Sequence, residues 1–161
     1  MEGEVLEIRS LINEDLIELN LVAATQNEVI SQLTSLLAKQ GRIESKSVFF
    51  EGALEREAEF STGFGNGFAI PHCKSDTVKT ASIVIGKTTN EIEWNSLDNK
   101  PVTFIIMLAI PATEGGTTHL QILAALSGKL MDDEFRYQLM NAAQSEQILE
   151  LIDELVTQKT N

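Results

Sequence analysis

The chain has 161 residues, 43% hydrophobic and 22% charged, with a single cysteine and a formal net charge of −12. That length suits one domain with its own core, and the composition excludes a disordered chain, a coiled-coil rod and a disulfide scaffold. The acid excess repels nucleic acid and anionic lipid, no run nears the roughly 20 apolar residues of a membrane span, and the start lacks a basic signal region, so the expectation is a cytoplasmic protein that binds no nucleic acid, inserts in no membrane and favours a basic partner.

Residues 1–13 are acidic and weakly amphipathic and are expected to form an N-terminal leader helix or extension ahead of a domain over 14–161. Leu16-Ile17-Glu18-Leu19 reads as a short strand. Thr25-Gln26-Asn27-Glu28 has capping-box spacing, Val29, Ile30, Leu33, Leu36 and Leu37 follow as a helical stripe, and Gly41 stops it. A second helix is expected over 47–58. Residues 60–70 are rich in Gly, Ser and Thr and end in the apolar run Phe68-Ala69-Ile70. Residues 81–85 are strand-like, and 92–94 read as a further edge strand. The unbroken apolar run 102–110, bounded by Pro101 and Pro111, predicts a buried central strand. Gly115-Gly116-Thr117-Thr118 reads as a loop and cap before a helix carrying His119, Ile122, Leu123, Leu126 and Leu130. Asp132 and Ser145 open two more helices, reaching Leu139 and Val156. Helices at both ends around a strand-rich middle predict an α/β fold, a three-layer α/β/α sandwich with a central mixed sheet.

The densest chemistry lies in Ser61-Thr62-Gly63-Phe64-Gly65-Asn66-Gly67-Phe68-Ala69-Ile70-Pro71-His72-Cys73-Lys74. Alternate glycines permit positive φ and open backbone amides, which suits either a hairpin turn or an anion cradle. The loop lacks both the GK[ST] of a phosphate-binding loop and full dinucleotide-binding spacing. His72 follows a short apolar strand, where α/β folds build sites, and a neutral imidazole is a competent phosphoryl nucleophile. His119 opens a helix, where the positive end of the dipole favours the neutral imidazole. Each also has a purely structural reading, His72 as a hydrogen-bonded strand-end residue and His119 as a helix cap, and a shared metal site finds no ligand spacing to support it. Arg56 reads as a surface ion pair with Glu55 and Glu57 or as a planar clamp on a phosphate. Lys74 carries the same two readings. Cys73 reads as a small, partly buried thiol, because its side chain points away from that of His72 on an extended segment.

The pattern Arg56-Glu57-x-x-x-Ser61-Thr62-Gly63-Phe64-Gly65-x-Gly67-x-Ala69-Ile70-Pro71-His72 closely resembles the active-site segment of the fructose–mannitol type enzyme IIA domains of the bacterial phosphoenolpyruvate:sugar phosphotransferase system. The resemblance continues through Trp94-Asn95-Ser96-Leu97-Asp98, Pro101 to Pro111, His119-Leu120-x-Ile122-Leu123 and Leu130-Met131-Asp132-Asp133-Glu134-Phe135-Arg136, and covers nearly the whole chain beyond the leader. Cys73 departs from it, since glycine or alanine is common after the histidine.

The resemblance implies a phosphotransferase component. His72 corresponds to the histidine that accepts a phosphoryl group on its ε nitrogen from the phosphocarrier HPr. His119 corresponds to the second active-site histidine, and Arg56 to the assisting arginine. The group then passes to a cysteine of a IIB domain and, through the membrane IIC component, to a sugar, here of fructose type. No metal, nucleotide or other cofactor is implied. Phosphoryl transfer asks for positioning and charge stabilisation, so loop donors at Thr62, Gly63, Gly65 and Gly67 are expected to join Arg56 around the phosphoryl oxygens. Two alternatives stand beside this: a regulatory protein like the nitrogen-related IIA proteins, and a non-enzymatic anion-binding module using the glycine loop alone.

Overall fold

Local signals build the first half of the chain. Helix α1 (Ile8–Leu11) and a 3-10 turn (Glu14–Leu16) lead into strand β1 (Ile17–Leu21). The computed structural model describes residues 8–113 and 117–159, with the side chains of 9–113 and 120–155. Leu11 and Ile12, within the segment expected as a leader, are buried in the core.

Helix α2 (Gln26–Lys39) begins at the expected box. The Glu28 N–H donates to Thr25 Oγ1 at 3.1 Å, and the Glu28 carboxylate accepts the Ala24 N–H at 2.7 Å. The reciprocal bond thus reaches one residue further upstream than usual. Val29, Ile30, Leu33 and Leu37 are buried, as the stripe predicts. Gly41, at φ 71°, ends the helix. Its N–H donates to Ala38 O at 3.0 Å and that of Arg42 to Leu37 O at 2.9 Å, the paired bonds of a Schellman stop. Helix α3 (Lys46–Glu59) is capped by Ser45 Oγ, which accepts the Val48 N–H at 3.2 Å.

The strands are β2 (Gly63–Gly65), β3 (Phe68–Ala69), β4 (His72–Ser75), β5 (Ser82–Ile92) and β6 (Val102–Pro111). The six-stranded sheet runs β1-β5-β6-β3-β2, with β4 also paired to β6. Strand β6 is antiparallel to β5 and parallel to β3 and β4. The register is continuous along that last edge, Phe68 facing Phe104 and His72 facing Leu108. Strand β6 is buried along nearly its whole length, as a central strand with helices on both sides of the sheet must be. The mixed α/β architecture is therefore the one the element order predicts.

The middle strands differ from expectation at one point. Residues 92–94 form no separate edge strand. Strand β5 runs unbroken from Ser82 to Ile92, inside the sheet between β1 and β6. A register shift between Lys87 and Ile92 carries it through its polar stretch to the pair Ile92–Val102. Exposed Thr89 to Glu91 read as a break only because this part of the strand overhangs the core.

Helices α4 (Thr117–Lys129), α5 (Asp133–Asn141) and α6 (Ser145–Lys159) complete the chain. Asp132 caps α5, accepting the Glu134 N–H at 3.1 Å. Ile122, Leu126 and Leu130 are buried. Of the loop expected over 115–118, residues 115 and 116 lie outside the described residues, and Thr117 and Thr118 are already helical. Helices α2 and α3 pack on each other and reach β5 and β4, while α4 and α5 pack on α6. Arg9 reaches across to Asp153 of α6 at 2.7 Å.

Candidate active site

Helix α3 and strand β4 approach so closely that the contact selects its residues. A Cβ added at Gly52 would lie 3.0 Å from Cys73 Sγ. The thiol fills the gap left by the glycine, and burial, with the nearby Glu55 carboxylate, pushes its pKa up to about 11. Cys73 is a neutral packing group, in line with its sequence reading.

This contact brings together two of the expected residues. Arg56 lies one turn after Gly52, and His72 immediately precedes Cys73, so both line one open cleft of about 560 Å³ with Glu51, Glu55, Glu59 and Lys74. The Arg56 guanidinium donates from Nη1 to Phe60 O at 3.1 Å, which braces it against the end of its own helix. Among the described residues neither flanking glutamate pairs with it.

His72 is half-buried at the start of β4, with Nδ1 3.1 Å from Ile70 O. A carbonyl oxygen only accepts, so the contact assigns a proton to Nδ1, which in the neutral imidazole leaves the lone pair on Nε2. His119 lies in the first turn of α4, and its side chain falls outside the described residues.

The glycine loop is placed otherwise. Strands β2 and β3 form an antiparallel hairpin whose turn runs through Gly65 (φ 111°), Asn66 (φ 59°) and Gly67 (φ 87°). None of Thr62, Gly63, Gly65 and Gly67 lines the His72 cleft. Loop donors do hold anions, but these are the protein's own carboxylates. Thr62 donates its N–H and its hydroxyl to the two oxygens of Glu57, each at 2.6 Å. The Asn66 N–H donates to Asp98 Oδ2 at 2.9 Å, and the Gly63 N–H to Ser61 Oγ at 3.1 Å. The Asn66 amide, followed by that of Lys100, holds the Asp98 carboxyl below its ordinary value. Gly63 is required for another reason: a Cβ there would overlap Ser96 Oγ and sit 2.7 Å from Ser96 Cα.

Glu57 is the residue that sequence reasoning missed. Flanking Arg56, it reads as a surface charge, yet it is only 8% exposed. The signal was in the helix period, because the buried face of α3 runs Phe49, Ala53, Glu57. Position 57 is therefore inward, whereas Val48, Gly52, Glu55, Arg56 and Glu59 face the cleft.

A family model described as "Phosphoenolpyruvate-dependent sugar phosphotransferase system, EIIA 2" matches residues 10–155. The chain belongs to the EIIA 2 family. The EIIA 2 domain is 35% identical over 150 residues to a fructose-specific EIIABC component of Bacillus subtilis, a match covering 92% of this chain and 23% of that protein. It therefore spans about a quarter of that relative's length. It is 33% identical to a fructose-specific EIIA component of Haloferax volcanii, over 95% of this chain and 99% of that one. In three dimensions it resembles the nitrogen regulatory protein IIA-Ntr of Neisseria meningitidis, with a TM-score of 0.80 and 28% identity over 94% of this chain and 98% of that one. The EIIA 2 domain is thus a phosphocarrier component of a phosphotransferase system. No helix among its described residues is long and apolar enough to cross a membrane.

Proposed function

We propose that this EIIA 2 domain accepts a phosphoryl group on Nε2 of His72 from the carrier HPr and passes it to a cysteine of a IIB domain, which serves sugar uptake of fructose type through a membrane IIC component. The observation that carries this reading is the pairing of His72 Nδ1 with Ile70 O inside the cleft that His72 shares with Arg56. The Nε2 lone pair forms the new N–P bond, the electron pair of the broken N–P bond returns to the carrier's imidazole, and Nδ1 keeps its proton. Exchange between two imidazoles is nearly balanced, so the site has to hold the group without trapping it. The remaining guanidinium donors of Arg56 suit the equatorial oxygens. His119, in the first turn of α4, is the second histidine of the site in this reading. Glu51, Glu55 and Glu59 give the cleft an acidic wall that complements a basic carrier face. Fructose-type names on the Bacillus and Haloferax relatives support the substrate class.

Intact-mass analysis after incubation with phosphoenolpyruvate, enzyme I and HPr tests the reading. Wild type is expected to gain one phosphoryl group and His72→Ala none. No gain on folded wild type, with HPr itself phosphorylated, overturns it. The similarity to the Neisseria protein favours a second reading, a regulator that binds targets according to its phosphorylation state. Onward transfer to a fructose-type IIB cysteine supports the first reading, and its absence supports the second.

A further inference from the structure

The reacting histidine is not held by its own strand alone. Its Nδ1 meets Ile70 O at 3.1 Å. The N–H of Ile70 donates to Thr62 O at 3.0 Å. Thr62 in turn gives both its N–H and its hydroxyl to the carboxylate of Glu57, at 2.6 Å each, and its hydroxyl oxygen accepts the Trp94 indole N–H at 3.2 Å. Ser61 Oγ closes the far side by donating to Trp94 O at 2.9 Å. Glu57, Thr62 and Trp94 are all more than nine-tenths buried. A buried carboxylate that accepts two short bonds from one residue fixes both the peptide plane and the side chain of that residue.

We propose that Glu57 is a positioning residue for His72, acting through Thr62 and the Ile70 peptide to hold the imidazole as its Nδ1–H tautomer and to aim Nε2 into the cleft. The argument rests on continuity and chemistry. Each link joins a donor to an acceptor, and the last acceptor, Ile70 O, tolerates only a protonated Nδ1. The Thr62 carbonyl fixes the 69–70 peptide through the Ile70 N–H, and the Ile70 Cα joins that plane to the next one, whose oxygen selects the tautomer. Glu57 follows Arg56 directly on α3, so one short helical segment orients both the cation and the nucleophile of the cleft. Thr62 has the same part here: its donors go to Glu57, and its effect on the reaction passes through the Ile70 peptide.

The kinetic side of this proposal rests on the phosphocarrier reading, and the structural side does not. The test therefore uses two measurements on the full chain. Nitrogen-15 correlation spectra of the unphosphorylated imidazoles report the His72 tautomer. Single-turnover phosphorylation by phosphorylated HPr reports rate and apparent affinity separately. Wild type is expected to show a protonated Nδ1 and an unprotonated Nε2. Glu57→Gln and Thr62→Val are expected to move His72 toward a tautomer mixture and to slow transfer by up to about 100-fold, as misplacement of a reacting group does, with affinity for the carrier unchanged. Thr62→Ser, which keeps the hydroxyl, is expected to restore the wild-type nitrogen shifts. If Glu57→Gln fails to fold, the Thr62→Val and Thr62→Ser pair decides. Unchanged His72 nitrogen shifts in folded Thr62→Val overturn the proposal, whatever the rate. So does a Thr62→Ser spectrum as disturbed as that of Thr62→Val. If wild type accepts no phosphoryl group, the phosphocarrier reading fails, and the nitrogen shifts alone decide the positioning role.

Discussion

The β2–β3 hairpin and the α3–β4 cleft adjoin in sequence and use their polar groups in opposite ways. In the hairpin, the protein's own acids take the donors: Glu57 takes both from Thr62, and Asp98 takes the Asn66 amide. In the cleft, Arg56 spends Nη1 on a backbone carbonyl and faces the same opening as His72. A glycine-rich loop beside a reactive histidine invites the idea that the loop holds the phosphoryl group. Here the Thr62 and Asn66 donors go to internal carboxylates, and the proposed chemistry lies in the cleft. Saturated internal donors give rigidity, whereas a site that must release its ligand keeps its charges at an open face.

Variants that strike one region and spare the other test this contrast. The largest effect is expected from His72→Ala, which abolishes phosphoryl acceptance while thermal unfolding stays close to wild type, because the ring is half-buried at a strand end. Acceptance by this variant would move the chemistry out of the cleft. Gly63→Ala should do the reverse. The new methyl meets Ser96 backbone at 2.7 Å, so urea unfolding should show a loss of about 1–3 kcal/mol, as overpacked sites do. Unchanged stability would mean that the hairpin is looser than its contacts imply.

Arg56→Lys keeps the charge and loses the planar fork. We expect transfer to slow on the order of tenfold, equivalent to ~1.4 kcal/mol of transition-state stabilisation, with stability unaffected. A wild-type rate would remove the clamp from the mechanism. The smallest effect concerns pH. The Asp98 pKa is lowered in the fold, chiefly by the Asn66 amide. Its contribution is therefore fully present above the unfolded value of 3.8 and is lost as pH falls through the lower folded value. The stability gap between wild type and Asp98→Asn should narrow on acidification through that window. A gap independent of pH would show that the carboxylate charge does not hold the turn.

Much of this was legible in the chain. The Thr25 cap, the Gly41 stop, the buried run of β6 and the Asp132 cap depend on residues within one turn or one strand. His72 and Arg56 were singled out from a motif, and the fold brings them to one cleft. The extent of β5 was misread because polarity at Thr89 to Glu91 marks exposure, and exposure is not the same as the end of backbone pairing. The inward turn of Glu57 was readable from the Phe49–Ala53 period but was masked by its charged neighbours.

The sequence by itself determined most of the helices and the central strand and singled out His72 and Arg56 as candidate site residues, because caps, periods and β-branched runs act through backbone geometry a few residues wide. Only the tertiary structure decided which loop donors were already taken. The acceptor for Asn66 lies 32 residues away in Asp98, and the Trp94 indole reaches Thr62 across the same separation. No local rule reports whether a distant carboxylate arrives at an open amide, because that depends on how helix, hairpin and sheet pack together. That packing gives loop donors to Glu57 and Asp98 and brings His72 and Arg56 to one cleft.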